Sequence, residues 1–303
     1  MKKKLKKYLI LFYQEIMGLP LIAKCVVSKL FAPNNTILLK GFFIFEKCRI
    51  ANFNWGDDIN YYFLKMMTGK RILLLPDTYI AKNLPFQNYL CIGSTIMSFD
   101  MRNTIVWGTG LLNDKKGFRV KSKPKEIRAV RGPLTRQWLL EQGVECPAVY
   151  GDPALLLPLY YMPHRNKKYK LGIIPHYTDL TDETVKSISV LDGVKLIKIS
   201  GYKNWLDFID QINECDFIVS SSLHGIIVSE AYNVPSLWVK FKSSNYIDGW
   251  DYKFHDFYCS LGKDIEPYWV SKTTTYDDLL AKVSNWTKGE IDVKKLLDVC
   301  PFI

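Results

Sequence analysis

Short apolar runs of strand-forming residues alternate along this chain with longer stretches that carry helix signals. Such alternation is typical of α/β proteins, in which helices cover both faces of a sheet of parallel strands. The pattern therefore predicts an α/β fold built on buried parallel strands. The predicted strands are FFIF (42–45), ILLL (72–75), YLCIG (89–93), IVW (105–107), IRAV (127–130), LGIIPH (171–176), KLIKI (195–199), DFIVSS (216–221) and SLWVKF (236–241).

The strand runs fall into two sets, separated by the segment PLYYMPHRNKKY (158–169). The two prolines and the basic polar run of this segment are typical of a linker. A chain of 303 residues is long for a single hydrophobic core and suits two domains. We therefore expect two parallel-sheet α/β domains that face each other across a cleft, at residues 32–160 and 170–303, with the late helices at the end of the second.

The net charge of +11 is concentrated near the N-terminus. Residues 1–31 contain seven lysines and one glutamate, a net charge of +6, and five of those lysines stand within the first seven residues. A nucleic-acid-binding protein would carry its basic groups along a groove of the fold, so this distribution argues against that class. No uninterrupted apolar run reaches the ~18 residues that a membrane-spanning helix needs.

The first twenty residues, MKKKLKKYLILFYQEIMGLP, predict a basic amphipathic helix. They resemble the start of a signal peptide, but no small-residue cleavage site follows the apolar part. Two placements are open, because such a helix can lie on an anionic membrane surface or pack on the protein's own core with its lysine tail in water. The apolar residues at helical spacing are Leu5, Tyr8, Leu9, Phe12 and Ile16.

Cysteine and histidine are not spaced for a disulfide framework or a metal site. The chain has seven cysteines and four histidines but no CxxC pair and no HExxH sequence. We expect reduced cytosolic thiols in or near the core, a cytoplasmic protein, and neither a metal nor a cofactor.

The stretch DFIVSSSLHGIIVSEA (216–231) ends a predicted strand in three serines and opens a helix with a histidine and a glycine. In open α/β sheets, ligands bind beyond the carboxyl ends of the strands. The positive end of a helix dipole, serine hydroxyls and the close approach that glycine allows favour an anion there, and histidine can exchange a proton near neutral pH. Helix capping by serine and a histidine bonded within a turn are the alternatives. The predicted members of this site are Ser220, Ser221, Ser222, His224 and Gly225.

Several stretches together make the chain resemble the polysaccharide pyruvyl transferase family. They span about 200 residues and stand in the order expected of that family. The stretches are NFNWGDDIN (52–60), RAVRGPLTRQWLLEQGV (128–144), GDPALLLP (151–158), IIPHY (173–177), SSSLHGIIVSEAYNVPSLWV (220–239) and DYKFHDFY (251–258).

The resemblance implies two Rossmann-like domains in a glycosyltransferase-B-like arrangement, the first for the acceptor and the second for the donor. It implies transfer of the enolpyruvyl unit of phosphoenolpyruvate to two hydroxyls of one sugar, which forms a cyclic pyruvate ketal and releases phosphate. The acceptor would be a precursor of an exopolysaccharide or capsule, usually carried on a lipid at the cytoplasmic face of the membrane. A basic N-terminal helix suits peripheral attachment at that location.

The resemblance also assigns donor ligands. Phosphoenolpyruvate carries a phosphate and a carboxylate, and the planar fork of arginine matches both groups. Arg131 stands in the family's RG element at a predicted strand end, and we expect it to bind the donor, with an ion pair at the surface as the alternative. His176 and Lys240 lie near other strand ends and are further donor candidates, with a backbone-bonded histidine and a solvated lysine as the alternatives.

Proton transfer and acceptor binding are assigned in the same way. His224 matches the histidine of the family's LHG element and is the candidate for proton transfer. Asp57 and Asp58 open a helix, and because carboxylates repel the donor we expect them at the acceptor hydroxyls, one as a base and one as a helix cap. Asp152 is expected to fix the turn between the domains.

One position departs from the family pattern. Some members have arginine directly before Leu-His-Gly, whereas this chain has Ser222. Either another cation, such as Arg131 or Lys240, replaces that arginine, or the donor differs.

Two other functions remain open on the sequence. A glycosyltransferase that uses a nucleotide sugar would share the architecture and would place a diphosphate at the helix start. A non-catalytic protein that binds glycans or organises an assembly complex would share the fold as well, because a fold alone does not determine function.

Overall fold

The computed structural model describes residues 2–46, 49–113, 117–164, 166–241 and 249–303. Two five-stranded sheets organise these residues, and every strand pairing within each sheet is parallel. The predicted fold class, α/β with two Rossmann-like parallel sheets, is confirmed. The first sheet lies within residues 36–129 and the second within residues 169–270, on either side of the segment at 158–169 that was interpreted as a linker.

The first sheet has its longest buried strand at the centre. The strands of this half are β1 (Thr36–Leu39), the short antiparallel pair β2 (Phe45–Glu46) and β3 (Arg49–Ile50), β4 (Arg71–Leu74), β5 (Asn88–Leu90), β6 (Thr104–Trp107) and β7 (Glu126–Ala129). The sheet order is β4-β1-β5-β6-β7. All four residues of β1 are buried, because helices cover both faces of the sheet.

The prediction of a strand at FFIF (42–45) was wrong. The strand is instead Thr36–Leu39, a few residues earlier in the apolar sequence TILLKGFFIF, and Gly41 lies in the bend that follows it. Within that bend Phe43 packs into the core while Phe42 is half exposed. Both halves of the sequence are apolar, so periodicity alone could not tell which of them enters the sheet.

Four helices belong to the first half: α1 (Lys2–Phe31), α2 (Trp55–Thr68), α3 (Tyr79–Lys82) and α4 (Pro133–Glu141). Helix α2 begins after Asn54, whose side chain accepts a hydrogen bond from the Gly56 N–H, and ends at Gly69 in the left-handed conformation. Helix α4 begins with Pro133 at its first position, where the missing N–H has no intrahelical role.

Helix α1 is longer than the amphipathic segment that the sequence predicted. Its part Tyr8–Phe31 is long and apolar enough to cross a membrane, with mean hydropathy 1.6. A search for an uninterrupted apolar run misses this segment, because Glu15, Lys24 and Lys29 are spread along it.

The second sheet has the order β12-β11-β10-β8-β9, with helices between its strands. Its strands are β8 (Tyr169–Ile174), β9 (Val194–Leu196), β10 (Cys215–Ser220), β11 (Ser236–Phe241) and β12 (Tyr268–Val270). The helices of this half are α5 (Glu183–Ser189), α6 (Leu206–Asn213), α7 (Leu223–Ala231), α8 (Tyr252–Ser260), α9 (Tyr276–Val283) and α10 (Val293–Asp298).

The two halves share one hydrophobic core. A single cluster of buried residues contains Trp55 and Trp107 from the first half and Phe208 and Trp238 from the second. Helices α8 and α10 follow the second sheet in sequence but pack back on the first half, where the Trp107 indole N–H donates to the Leu296 carbonyl at 3.0 Å. The cleft between the sheets is therefore closed by packing except where a pocket opens.

Candidate functional site

A cavity of about 260 Å³ opens between the two halves. The residues that line it stand after the carboxyl ends of strands in both sheets: the loops after β1, β5 and β6 contribute from the first half, and those after β8, β10 and β11 contribute from the second. This is the position at which open α/β sheets bind ligands.

Helices α2 and α7 both begin at this cavity. Asn54 and Asp57 line it from the start of α2, and Ser222, Leu223 and His224 line it from the start of α7. The two starts approach so closely that a Cβ on Gly56 would lie 2.2 Å from His224 Nδ1. Glycine is therefore required at that position.

Only one of the two helix starts is capped by a side chain. The Asn54 side chain caps α2, whereas Ser222 stands at the N-cap of α7 without a side-chain hydrogen bond to that helix. Because Ser222 also lines the cavity, the positive end of α7 and the Ser222 hydroxyl face the space where a ligand would lie.

His224 forms part of the cavity wall and faces a buried carboxylate. Its Nε2 lies 3.9 Å from Asp152 Oδ2, and neither atom has a hydrogen-bond partner. Burial and the positive charges of Lys253 and Arg131 lower the pKa of His224 to about 3. The imidazole is therefore neutral at pH 7 when the cavity is empty.

Asp152 combines a structural role with an unused oxygen. Its Oδ1 accepts the Ala154 N–H at 2.9 Å and caps the 3₁₀ helix Pro153–Leu159. Its Oδ2 is the atom that faces His224. Burial raises the pKa of Asp152 to about 6, so the pair can accommodate a proton near neutral pH.

Lys253 is a cavity residue to which the sequence interpretation gave no role. It is buried at the start of α8 and lines the cavity, and within the described part of the chain its ammonium makes no hydrogen bond or ion pair. The ammonium lies over the rings of Trp250 and Phe254, 4.8 and 5.5 Å from their centroids. Burial and the charge of Arg131 lower the pKa of Lys253 to about 8.

Arg131 lies behind the cavity wall and does not line it. The side chain is fully buried, and its guanidinium donates to Asp256 Oδ2 at 3.0 Å, to Ser94 Oγ at 2.7 Å and to the Leu111 carbonyl at 2.6 Å. Asp256 and Ser94 thus hold an arginine that the sequence predicted as a direct donor ligand. In this arrangement Arg131 reaches the cavity through Ser94, which does line it.

The two aspartates at the start of α2 have different surroundings. Asp57 lines the cavity and accepts from Asn54 Nδ2 at 2.6 Å, and burial raises the pKa of its carboxyl to about 6. Asp58 is buried away from the cavity, where its Oδ2 accepts the Tyr202 hydroxyl at 2.7 Å and the Asn54 N–H at 3.2 Å. Of the two, only Asp57 can touch a ligand.

The serine run and Gly225 are used mostly by the fold. Ser220 is fully buried, donates to the Ile174 carbonyl at 2.9 Å and accepts the Ser222 N–H at 3.0 Å. Ser221 donates to Asp179 Oδ2 at 2.5 Å. A Cβ on Gly225 would meet Ser220 Oγ at 2.3 Å, so this glycine lets α7 approach its own strand rather than a ligand.

The two remaining candidates are divided between the cavity and the surface beside it. His176 lines the cavity, and its Nδ1 is hydrogen-bonded to Thr178 Oγ1 at 2.8 Å, while burial lowers its pKa to about 3. Lys240 is not among the cavity residues. It pairs with Asp251 Oδ2 at 2.6 Å and lies over the Trp269 ring.

The cavity therefore unites His224, His176, Asp57 and Ser222 with Lys253. Sequence reasoning missed Lys253, although its segment DYKFHDFY had been singled out, because a lysine in an amphipathic helix ordinarily faces solvent. It also missed the aromatic residues of the cavity, Phe42, Tyr177 and Trp250, which have no common sequence signal.

The part of the chain that the structure describes contains no group of three or more histidine, cysteine, aspartate or glutamate side chains placed to hold a metal ion. The ionisable groups of the cavity are a lysine, two neutral histidines and a carboxylate. The chemistry that this set can carry out is anion binding and proton transfer.

Comparison with known proteins identifies the sequence family and two relatives. The sequence profile described as "Polysaccharide pyruvyl transferase" matches residues 85–243, more than half of the chain. An uncharacterized protein of Acanthamoeba polyphaga mimivirus is 28% identical over 222 residues, which are 72% of this chain and 75% of that protein. The succinoglycan biosynthesis protein ExoV of Rhizobium meliloti is 26% identical over 238 residues, 77% of this chain and 69% of ExoV.

Among solved structures, an uncharacterized protein of Klebsiella pneumoniae aligns with 83% of this chain and 98% of its own length. The TM-score is 0.43 and the sequence identity is 13%.

Proposed function

The chain belongs to the polysaccharide pyruvyl transferase family and is a transferase of polysaccharide biosynthesis, and from that premise we propose the donor and the reaction. The donor is phosphoenolpyruvate, and the reaction places its enolpyruvyl unit on two hydroxyls of one sugar as a cyclic ketal. The acceptor is a glycan under assembly on a lipid carrier. One observation carries the proposal: the Lys253 ammonium, the uncapped start of α7 and the His224 imidazole line the same cavity.

Lys253 and the start of α7 suit the two anionic groups of phosphoenolpyruvate. The ammonium supplies a positive charge at neutral pH, since its pKa of about 8 lies above 7. The first-turn N–H groups of α7 and the Ser222 hydroxyl supply hydrogen-bond donors. Ser222 replaces the arginine that stands before Leu-His-Gly in some family members, and Lys253 is the cation that takes over the charge of that arginine.

His224 is the group that moves protons, and Asp152 positions it. A neutral imidazole beside a buried carboxylate can accept a proton from a hydroxyl and hold it as an imidazolium. The 3.9 Å between Nε2 and Oδ2 needs to shorten by about 1 Å to reach hydrogen-bond distance. Binding of an anionic donor raises the pKa of His224, because opposite charge stabilises the protonated ring.

The reaction balances with this set of residues. The oxygen of the first sugar hydroxyl bonds to C2 of phosphoenolpyruvate, the C2–C3 double bond becomes single, and C3 gains a proton. The oxygen of the second hydroxyl then bonds to C2, and the bond between C2 and the phosphate oxygen breaks. Of the two hydroxyl protons, one replaces the proton given to C3 and the other leaves with phosphate.

The acceptor lies on the opposite side of the cavity, near Asp57. Its carboxyl accepts hydrogen bonds from sugar hydroxyls, and its raised pKa of about 6 suits it as a base. The exposed rings of Phe42 and Tyr177 provide flat apolar surfaces for the faces of a sugar.

The test is to incubate the purified chain with phosphoenolpyruvate and a panel of aryl and lipid-linked galactosides, glucosides and mannosamines. The expected products are phosphate and a sugar whose mass increases by that of pyruvic acid less one water. His224→Ala is expected to lower the rate about 10²–10⁴-fold. Lys253→Met is expected to weaken donor binding, and an exposed control, Lys65→Met, leaves both unchanged.

The two alternative functions predict other results. A nucleotide-sugar transferase would be protected from thermal unfolding by UDP or GDP and not by phosphoenolpyruvate. A non-catalytic glycan-binding protein would release no phosphate with any acceptor, and His224→Ala would change only its stability. Either result would overturn the proposed reaction.

A further inference from the structure

Helix α1 presents an apolar face to solvent along most of its length. The apolar residues of this outer face are exposed and recur every three or four positions, which places them on one side of the helix. At 1.5 Å per residue the face extends about 27 Å from Leu9 to Val27. The outer face consists of Leu9, Phe12, Ile16, Leu19, Ala23 and Val27.

The opposite face fixes α1 to the protein. Ile22 and Cys25 are buried in a cluster with Leu38 and Leu73 of the first sheet. Gly18 is buried as well, and a Cβ there would lie 2.9 Å from Thr78 Cγ2. The helix thus belongs to the fold, while its outer face is left uncovered.

Glu15 adds a polar attachment on the protein side of α1. Its carboxylate accepts the N–H groups of Tyr79 and Ile80, the second at 3.2 Å, and so caps helix α3. The one acidic residue of the helix is therefore turned away from the outer face. An apolar face of this length is larger than a monomeric surface ordinarily exposes and marks an interaction site.

We propose that the outer face of α1 lies in the plane of an anionic lipid bilayer, with its apolar side chains inserted in one leaflet. The five lysines among residues 2–7 complement the negative headgroups. Tyr8 and Tyr13 are exposed beside the outer face, and tyrosine prefers the boundary between headgroups and acyl chains. The proposal does not depend on the reaction proposed above.

The attachments of α1 favour lying on the bilayer over crossing it. A crossing orientation would pull Gly18, Ile22 and Cys25 away from the first sheet and would break the capping of α3 by Glu15. An orientation perpendicular to the membrane with the N-terminus inserted would carry the lysines into hydrocarbon, which is costly. The in-plane orientation keeps both sets of contacts.

Co-sedimentation of the full chain with lipid vesicles tests the proposal. We expect binding to vesicles of phosphatidylcholine with phosphatidylglycerol and much weaker binding to phosphatidylcholine alone. Leu9→Glu together with Phe12→Glu is expected to weaken binding at least about tenfold, since two inserted apolar side chains are lost. Lys→Gln at positions 2, 3, 4, 6 and 7 is expected to remove the preference for the anionic lipid.

A matched control carries the same charge change elsewhere. Met162→Glu together with Val190→Glu alters two exposed apolar residues outside α1 and is expected to bind vesicles like the unmodified chain. Equal thermal unfolding midpoints for both double variants show that folding is retained. Equal vesicle binding of the α1 variant and the control would overturn the proposal.

The orientation and the competing occupants are decided by three further measurements. An in-plane helix is released from membranes by an alkaline carbonate wash, and retention after the wash would indicate a crossing helix. Loss of residues 1–13 from the membrane-bound chain, seen by intact mass, would identify a cleaved segment instead. A dimer in light scattering that Phe12→Glu dissociates would identify a second copy as the occupant; each of these three results contradicts the proposal.

Discussion

Two buried cations divide the work that the sequence assigned to one. Arg131 was predicted as a donor ligand from its motif, but its guanidinium is held by Asp256, 125 positions further along the chain. No local pattern reveals such a partner. Lys253 has no comparable partner among the described residues and lines the cavity. The motifs found the right segments of the chain, while the direction of each side chain required the structure.

The ammonium of Lys253 sets an alkaline limit on donor binding. Its pKa of about 8 lies below the usual 10.5, so the positive charge is present below pH 8 and is lost above it. We expect kcat/KM for phosphoenolpyruvate to fall above about pH 8, and Lys253→Met to lower it about 10²-fold at pH 7. Phosphate release at low donor concentration measures both effects.

Lys253→Arg serves as the control for this prediction, because arginine keeps its proton throughout the range. The alkaline limit should move to higher pH in this variant. An unchanged limit would mean that another group causes it.

The acid side of the pH profile tests the pairing of Asp152 with His224. The pKa of Asp152 is raised to about 6, so its carboxylate, which stabilises an imidazolium, is present above pH 6 and lost below it. We expect Asp152→Asn to lower kcat about 10²-fold or more with little change in KM for the donor, and to remove the limit near pH 6.

Asp57→Asn is the comparison, since the pKa of Asp57 is also about 6 but this residue lies on the acceptor side. It should raise KM for the sugar and leave the Asp152 limit in place. An Asp152→Asn enzyme with an unchanged pH profile would reduce Asp152 to the cap of its 3₁₀ helix.

Removal of Arg131 should destabilise the protein. Arg131→Ala leaves the fully buried Asp256 carboxylate without its ion pair, which is expected to lower the free energy of unfolding by about 3–5 kcal/mol. Arg128→Ala, which removes an exposed pair with Glu126, is expected to cost less than about 1 kcal/mol. Urea unfolding compares the two, and equal stabilities would contradict the structural role of Arg131.

At the scale of elements, the site is made by the starts of α2 and α7. The sequence predicted a ligand site where β10 turns into α7, and that turn does line the cavity. It also predicted every serine of the turn as a ligand, whereas Ser220 and Ser221 satisfy backbone and side-chain groups of the turn itself. A tight strand-to-helix turn uses most of its polar atoms internally, and sequence spacing does not reveal which one is left.

The contact between the two helix starts gives a prediction for Gly56. Gly56→Ala places a methyl group where His224 Nδ1 now lies, so either α2 or the imidazole must move. We expect a loss of kcat of about 10²-fold, because a displacement of about 1 Å suffices for that. Steady-state kinetics with Lys65→Ala, an exposed change on the same helix, is the control, and full activity of Gly56→Ala would argue against His224 as the proton-transfer group.

At the scale of the molecule, the two sheets are halves of one cooperative unit. The class of each sheet was predictable because strand and helix periodicities are local. Their union was not, because it depends on contacts such as that between Trp107 and Leu296, 189 positions apart. The sequence also gave no sign that α8 and α10 return to the first half.

We therefore expect the two sheets to unfold together. Leu296→Ala creates a cavity beside Trp107 and should lower the free energy of unfolding by about 2–5 kcal/mol. Hydrogen exchange of β6 and β10, followed by mass spectrometry, should show equal loss of protection in both strands. Lys294→Ala, an exposed change on the same helix, should leave both strands protected, and faster exchange of β6 alone would contradict a shared core.

The lowered pKa of Lys253 also makes this side chain a chemical handle. Near pH 8 about half of its amine is unprotonated and therefore nucleophilic, while ordinary surface lysines remain almost fully charged. Small acylating or aldehyde reagents that carry an anionic tail would be drawn to the cavity and would modify this amine first. A covalent inhibitor of the enzyme can thus be designed around a single lysine, with donor protection as its measure of selectivity.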